Sequence, residues 1–163
     1  MLLPLALLFI LAACGGSSKA QPDAARIVHG PGFRFSVPAG WKLRRSNGSL
    51  GAQSGKSLVA ATSFMLLKRY DQALFAKAAV ELDRAAASLA AQAHGTLTEK
   101  STVTVAGRKI RAYRYTARGY ETRIGFVLEG KREVQLECRA PAGSVDPDGA
   151  CSLLFRTFRL SAA

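Results

Sequence analysis

The sequence predicts an α+β domain over residues 33–160, an antiparallel β-sheet with helices packed on its faces. Three observations predict it. Runs of strict two-residue alternation recur along the chain, and one long segment, Asp71 to His94, changes to a period of 3.6. The alternating runs are also joined by connections too short for parallel crossovers, which makes neighbouring strands antiparallel.

Ahead of that domain, an uncharged apolar run from Leu2 to Ala13 stops at Cys14 and is followed by Gly15-Gly16-Ser17-Ser18. About a dozen apolar residues fall short of the roughly 20 of a membrane-spanning helix but match the roughly 7–15 of a signal-peptide core. Leu11-Ala12-Ala13-Cys14 resembles the lipobox of bacterial lipoproteins. The resemblance implies removal of residues 1–13, acylation of Cys14 with palmitate-type chains, and a lipid-anchored protein on the extracytoplasmic face of the cell membrane. One departure is the lack of any Lys or Arg before Lys19, where signal peptides begin with positive charge. From Lys19 to about Gly32 the residues are small, polar or turn-forming, so residues 14–32 read as the lipidated cysteine and a flexible tether.

Phe33-Arg34-Phe35-Ser36-Val37 alternates, with the apolar side chains on one face. Pro38-Ala39-Gly40 turns the chain into Trp41-Lys42-Leu43-Arg44, where Trp41 and Leu43 point inward as core. The Gly/Ser-rich stretch from Ser46 to Ser57 reads as a hairpin connection. Its Gly51-Ala52-Gln53-Ser54-Gly55-Lys56-Ser57 ends like a phosphate-binding loop but has three residues between glycines where that motif has four, and it precedes a strand-like run from Leu58 to Leu66. On the helix, Leu74, Ala78, Leu82, Ala85, Leu89 and Ala93 fall on one stripe beside Phe75 and Ala86. Asp71 is placed to cap its start and Gly95 to take the left-handed conformation past its end, while Lys77, Glu81, Asp83 and Arg84 lie on the wet side.

Four further strand-like runs follow, about 97–105, 109–117, 122–129 and 132–139, joined by Ala106-Gly107, Gly119 and Gly130-Lys131. In 109–117 Tyr113 and Tyr115 compete with Ile110 and Ala112, which predicts cover on both sides of that strand. A last helix starting near Asp148 carries Leu153, Leu154, Phe155 and Phe158 toward the sheet.

The net charge of +12 is unevenly spread: residues 26–70 hold eight cations and no acid. Arg34, Lys42, Arg44, Arg45, Lys68 and Arg69 are therefore the candidate contacts for an anionic partner, with Arg34, Lys42 and Arg44 forming one patch if the first two strands pair. An exported basic surface meets anionic lipid or wall polymer, so no nucleic-acid partner is expected. Cys138 and Cys151 are an even pair in an exported domain and read as a disulfide; two buried thiols or a metal pair are the alternatives. No metal or cofactor is expected, because the cysteine spacing fits no zinc pattern and His29 and His94 lie in the tether and at a helix end. Glu133 and Glu137 fall on one strand face with Glu129 near, the single arrangement that suggests paired-carboxylate chemistry.

Phe33-x-Phe35-x-Val37-Pro38-x-Gly40-Trp41, the long helix, the Gly-turned meander and Phe155-Arg156-Thr157-Phe158 together resemble the PsbP-like domains of bacterial lipoproteins, the LpqN type above all. The resemblance covers about residues 30–160. It implies an α/β/α sandwich and an accessory or adaptor role with no shared catalytic residues. The expected function is a membrane-anchored, non-catalytic binding domain at the cell envelope, partnered by an envelope protein or an anionic lipid or polymer. A hydrolase with an unrecognised site is the third reading.

Overall fold

The computed structural model describes residues 25–144, 146 and 149–161. Among the described residues, two antiparallel sheets, two α-helices and one short 3-10 turn make up the domain. The small sheet has the order β1-β2-β9, from Arg26–Gly30, Phe33–Val37 and Arg159–Leu160. The large sheet has the order β3-β4-β5-β8-β7-β6, from Lys42–Ser46, Ser49–Ser54, Ser57–Tyr70, Tyr120–Pro141, Arg108–Ala117 and Gly95–Val105. Helix α1 is Phe75–Gln92 and α2 is Ala150–Thr157.

The length of β8 hides a fold-back. A ribbon of 22 residues extended at about 3.3 Å each would separate its ends by about 70 Å. Instead Ala142 N–H donates to the Gly119 carbonyl at 2.8 Å. The reversal is at Gly130, whose φ of 56° suits the first position of a two-residue hairpin turn. Residues 120–126 then pair with β7 and residues 130–139 with β5. The two predicted runs 122–129 and 132–139 are the arms of this hairpin.

Each face of the large sheet closes a separate core. Val59, Ala61, Ile110, Ala112, Val127, Val134 and Leu136 meet Phe33, Phe35 and Phe158 from the small sheet and the segment that enters it, with Leu154 and Phe155 from α2. On the opposite face Tyr113, Ile124, Phe126 and Leu128 meet Leu82 and Ala86 of α1. The run 109–117 is thus covered on both sides, as its competing faces predict. Trp41 is buried in the first core. Both cores are built from residues within 25–161.

Several local expectations are corrected. Residues 26–30, assigned to the tether, form β1, paired along its whole length with β2. The Ser46–Ser57 connection contains a full strand, β4, with tight turns on either side. The glycine-rich string within it forms β4, a turn and the start of β5, and opens no helix. Asp71 caps a short 3-10 turn, Gln72–Leu74, by accepting from Ala73 N–H at 2.8 Å, and α1 starts after it. Leu74 and Ala85 are therefore exposed, and the buried positions are Leu82, Ala86 and Ala90. His94, with φ of 55°, takes the left-handed conformation past the helix. Gly95 is needed for a different reason: a Cβ there would lie 2.3 Å from the Thr116 carbonyl oxygen.

Candidate functional site

The predicted basic residues are dispersed. β2 and β3 belong to different sheets, so the condition for an Arg34, Lys42 and Arg44 patch is not met. Lys42, Arg44 and Arg45 lie on β3 at the large sheet's edge, with Arg44 Nε directed to Gln53 at 3.4 Å and Arg45 donating to the His29 carbonyl at 3.2 Å. Lys68 and Arg69 are at the far end of β5. Arg34 is opposite Arg159 in the β2-β9 register.

Arg159 marks the place where cations converge. It lines a cleft of about 570 Å³ together with Arg108, Lys131, Arg132 and a single acid, Glu129. Four chain segments meet there: the start of β7, the β8 turn, the second β8 arm and β9. The guanidinium groups are held by the fold. Arg132 donates to the Gly32 and Ser161 carbonyls at 2.9 and 3.4 Å, and Arg159 to those of Arg156 and Phe158 at 3.0 and 2.6 Å. Arg108 is paired with Glu129. Arg159 also lines two neighbouring clefts, one shared with Arg123 and Arg156 and one with Arg34 and Arg156. Arg123 lies over the Phe155 ring, 4.3 Å from its centroid. Carbonyl-anchored guanidinium groups spend donors on the fold yet keep their charge, so the cleft presents a fixed positive field suited to carboxylate or phosphate oxygens. Sequence reading missed this site because, apart from the neighbours Lys131 and Arg132, its cations lie more than twenty residues apart in the chain.

The carboxylates behave otherwise. Glu133 and Glu137 share a face of β8, but four residue steps along the strand set them about 13 Å apart, beyond the roughly 5–9.5 Å of paired catalytic carboxylates. Burial pushes both carboxyl groups above the ordinary glutamate range, opposed at Glu137 by Arg139. Asp83, expected on the wet side of α1, faces the sheet: it accepts from the Tyr113 hydroxyl at 2.7 Å and from Arg111 Nη2 at 2.8 Å. Among the described residues, no group of three or more His, Cys, Asp or Glu is placed to hold a metal ion.

Cys138 and Cys151 form a disulfide with Cα atoms 5.5 Å apart, joining β8 to α2. Asp146 supports that joint by accepting from the Cys151 and Ser152 amides at 2.7 and 2.9 Å in the first turn of α2. Cys14, the proposed lipidation site, and Asp148, the expected start of the last helix, lie outside the described residues. No described helix is long and apolar enough to cross a membrane.

No protein-family model and no curated protein matches the chain. Solved structures do. The solution structure of cyanobacterial PsbP (CyanoP) from Synechocystis sp. PCC 6803 matches with a TM-score of 0.62 and 10% identity, over 92% of this chain and 98% of that one. LpqN, described as involved in cell envelope biogenesis of Mycobacterium tuberculosis, matches with a TM-score of 0.51 and 11% identity, over 88% of each chain. A protein from Bacteroides thetaiotaomicron VPI-5482 matches with a TM-score of 0.57 and 13% identity over 87% of this chain, which spans 50% of that protein's length. Identities this low carry the architecture alone, and the architecture is PsbP-like.

Proposed function

We propose that the chain is a non-catalytic accessory domain, anchored through a lipid on Cys14 to the extracytoplasmic face of the cell membrane, that holds an anionic envelope partner at the Arg159 cleft. The observation that carries this reading is the convergence of Arg108, Lys131, Arg132 and Arg159 on one cleft with one acid. Held guanidinium groups recognise carboxylate and phosphate oxygens with little loss of side-chain freedom. The lipobox-like Leu11-Ala12-Ala13-Cys14 supports the anchor, and the involvement of LpqN in cell envelope biogenesis is in keeping with the compartment.

Two measurements test it. Intact mass of membrane-extracted protein is expected to show cleavage before Cys14 and acyl chains on that residue; a mature chain with unmodified Cys14 removes the anchor. Titration with inorganic polyphosphate at two salt concentrations is expected to show binding that weakens steeply with salt and drops about tenfold or more in Arg132→Glu/Arg159→Glu. Equal affinity of that variant and the parent rules out the cleft.

A further inference from the structure

β5 outlasts its neighbours. Its ladder with β4 ends at the Ser49–Thr62 pair, and its register with β8 breaks between Met65–Arg132 and Tyr70–Gly130. Four residues, Leu66 to Arg69, thus stand opposite Lys131 alone and bulge away from the sheet. Leu66 turns inward against the α1 core. Leu67 is 99% exposed, Met65 80% and Phe64 48%, and Lys68 and Arg69 beside them are exposed too. An apolar tip on a soluble surface marks a place of contact, and a bulge is a common device for aiming such a tip.

Charge decides what the tip contacts. Lys68 and Arg69 flank it, Lys131 faces it from the β8 turn, and Met65 itself lines the cleft that holds Arg108, Lys131, Arg132 and Arg159. The nearby acids are engaged or withdrawn: Asp71 caps the 3-10 turn, Glu129 is paired with Arg108, and Glu133 is half-buried on the sheet. Apolar side chains projecting from a cationic collar match a bilayer whose headgroups are anionic, since hydrocarbon takes the tip and the headgroups take the collar.

We infer that the β5 bulge is a membrane wedge, with Leu67 and Met65 entering the headgroup boundary of an anionic bilayer while Lys68, Arg69 and Lys131 pair with its headgroups. The inference goes beyond the proposed function and needs neither the lipid on Cys14 nor a polymer in the cleft. It also orients the domain, because β1 enters at Arg26, paired with Val37, at the end of the small sheet away from Arg132 and Gly32.

The test uses residues 25–163, which contain both cores, with co-sedimentation on phosphatidylglycerol-containing and on pure phosphatidylcholine vesicles. Binding is expected on the anionic vesicles only, with about a tenfold loss in Leu67→Ser and a larger loss in Met65→Ser/Leu67→Ser. Leu67 is almost fully exposed, so Leu67→Ser is expected to keep the parent's melting temperature and its polyphosphate affinity. Vesicle binding that ignores Leu67→Ser overturns the wedge, as does polyphosphate binding without vesicle binding, which leaves the cleft reading standing. A dimer in solution that Leu67→Ser dissociates also overturns it, by giving the tip another occupant.

Discussion

On one side of the large sheet, Phe33, Phe35 and Phe158 stack with ring centroids 6.2 and 6.0 Å apart, and a disulfide ties α2 to β8. On the other, α1 offers Ala86, Ala90 and Leu82, and its position is set by Asp83 reaching Arg111 and Tyr113 on β7. Aromatic side chains fix a neighbour by volume, since any shift opens a cavity. Alanines bury little area and permit sliding, so the helix is held in register by directional hydrogen bonds. The same sheet is therefore closed by packing and a covalent bond on one face and by a polar pin on the other.

The largest expected effect falls on the packed face. Phe33→Ala removes a fully buried ring touching two others and is expected to cost about 3–5 kcal/mol in urea unfolding, against about 2 kcal/mol for Leu82→Ala under α1. Equal costs for the two would erase the contrast. Next comes Cys138→Ala/Cys151→Ala, expected to cost about 3 kcal/mol for a bridge spanning 13 residues. Hydrogen exchange should rise in α2 while α1 amides keep their protection; uniform loss across both helices would mean that the faces do not open separately.

How much of this was legible depended on whether a signal was local. The Phe33–Val37 strand, the Gly-turned meander and the disulfide pair carry their own patterns. The strand β1 does not: of Arg-Ile-Val-His-Gly only Val28 is buried, so no alternation marks it. β4 is written in Ser, Leu, Gly, Ala and Gln and reads as loop until its neighbours supply a ladder. On α1 the abundance of alanine leaves the phase of the stripe undetermined, which is why Ala85 was expected inside and Asp83 outside. The cleft was beyond reach for another reason. Arg108, Lys131, Arg132 and Arg159 meet only because β9 closes the small sheet beside the β8 turn, a pairing of two residues with no sequence mark of its own.

A smaller effect is expected at the polar pin. Asp83→Ala strips acceptors from the Tyr113 hydroxyl and the Arg111 guanidinium and should cost about 1–3 kcal/mol, while Tyr113→Phe should cost about 1 kcal/mol. Exchange protection should fall first in α1. Loss appearing equally in α2 would show that the pin supports the whole sheet and not this helix alone.

The smallest effects come from pH, and they run in opposite directions on the α1 side of the sheet. At Asp83 burial raises the carboxyl's pKa, but the Tyr113 hydroxyl and Arg111 outweigh it, so the group lies below the ordinary aspartate range. The folded state then binds fewer protons than the unfolded one, so this stability is present above the unfolded pKa and is lost as pH falls through the folded one. At Glu133 and Glu137 burial raises the pKa, with Arg139 opposing it at Glu137, and the folded state binds more protons. Their contribution is present in acid and is lost as pH rises through and above the ordinary glutamate range. Both side chains are partly solvated, so water screens each contribution and keeps it small. Urea midpoints measured across pH should therefore show an acid limb that flattens in Asp83→Asn and a second, shallower decline at higher pH that flattens in Glu133→Gln/Glu137→Gln. A glutamine variant whose curve runs parallel to the parent's would mean that water hydrates both carboxylates fully, leaving the pin as the pH-dependent element of that face.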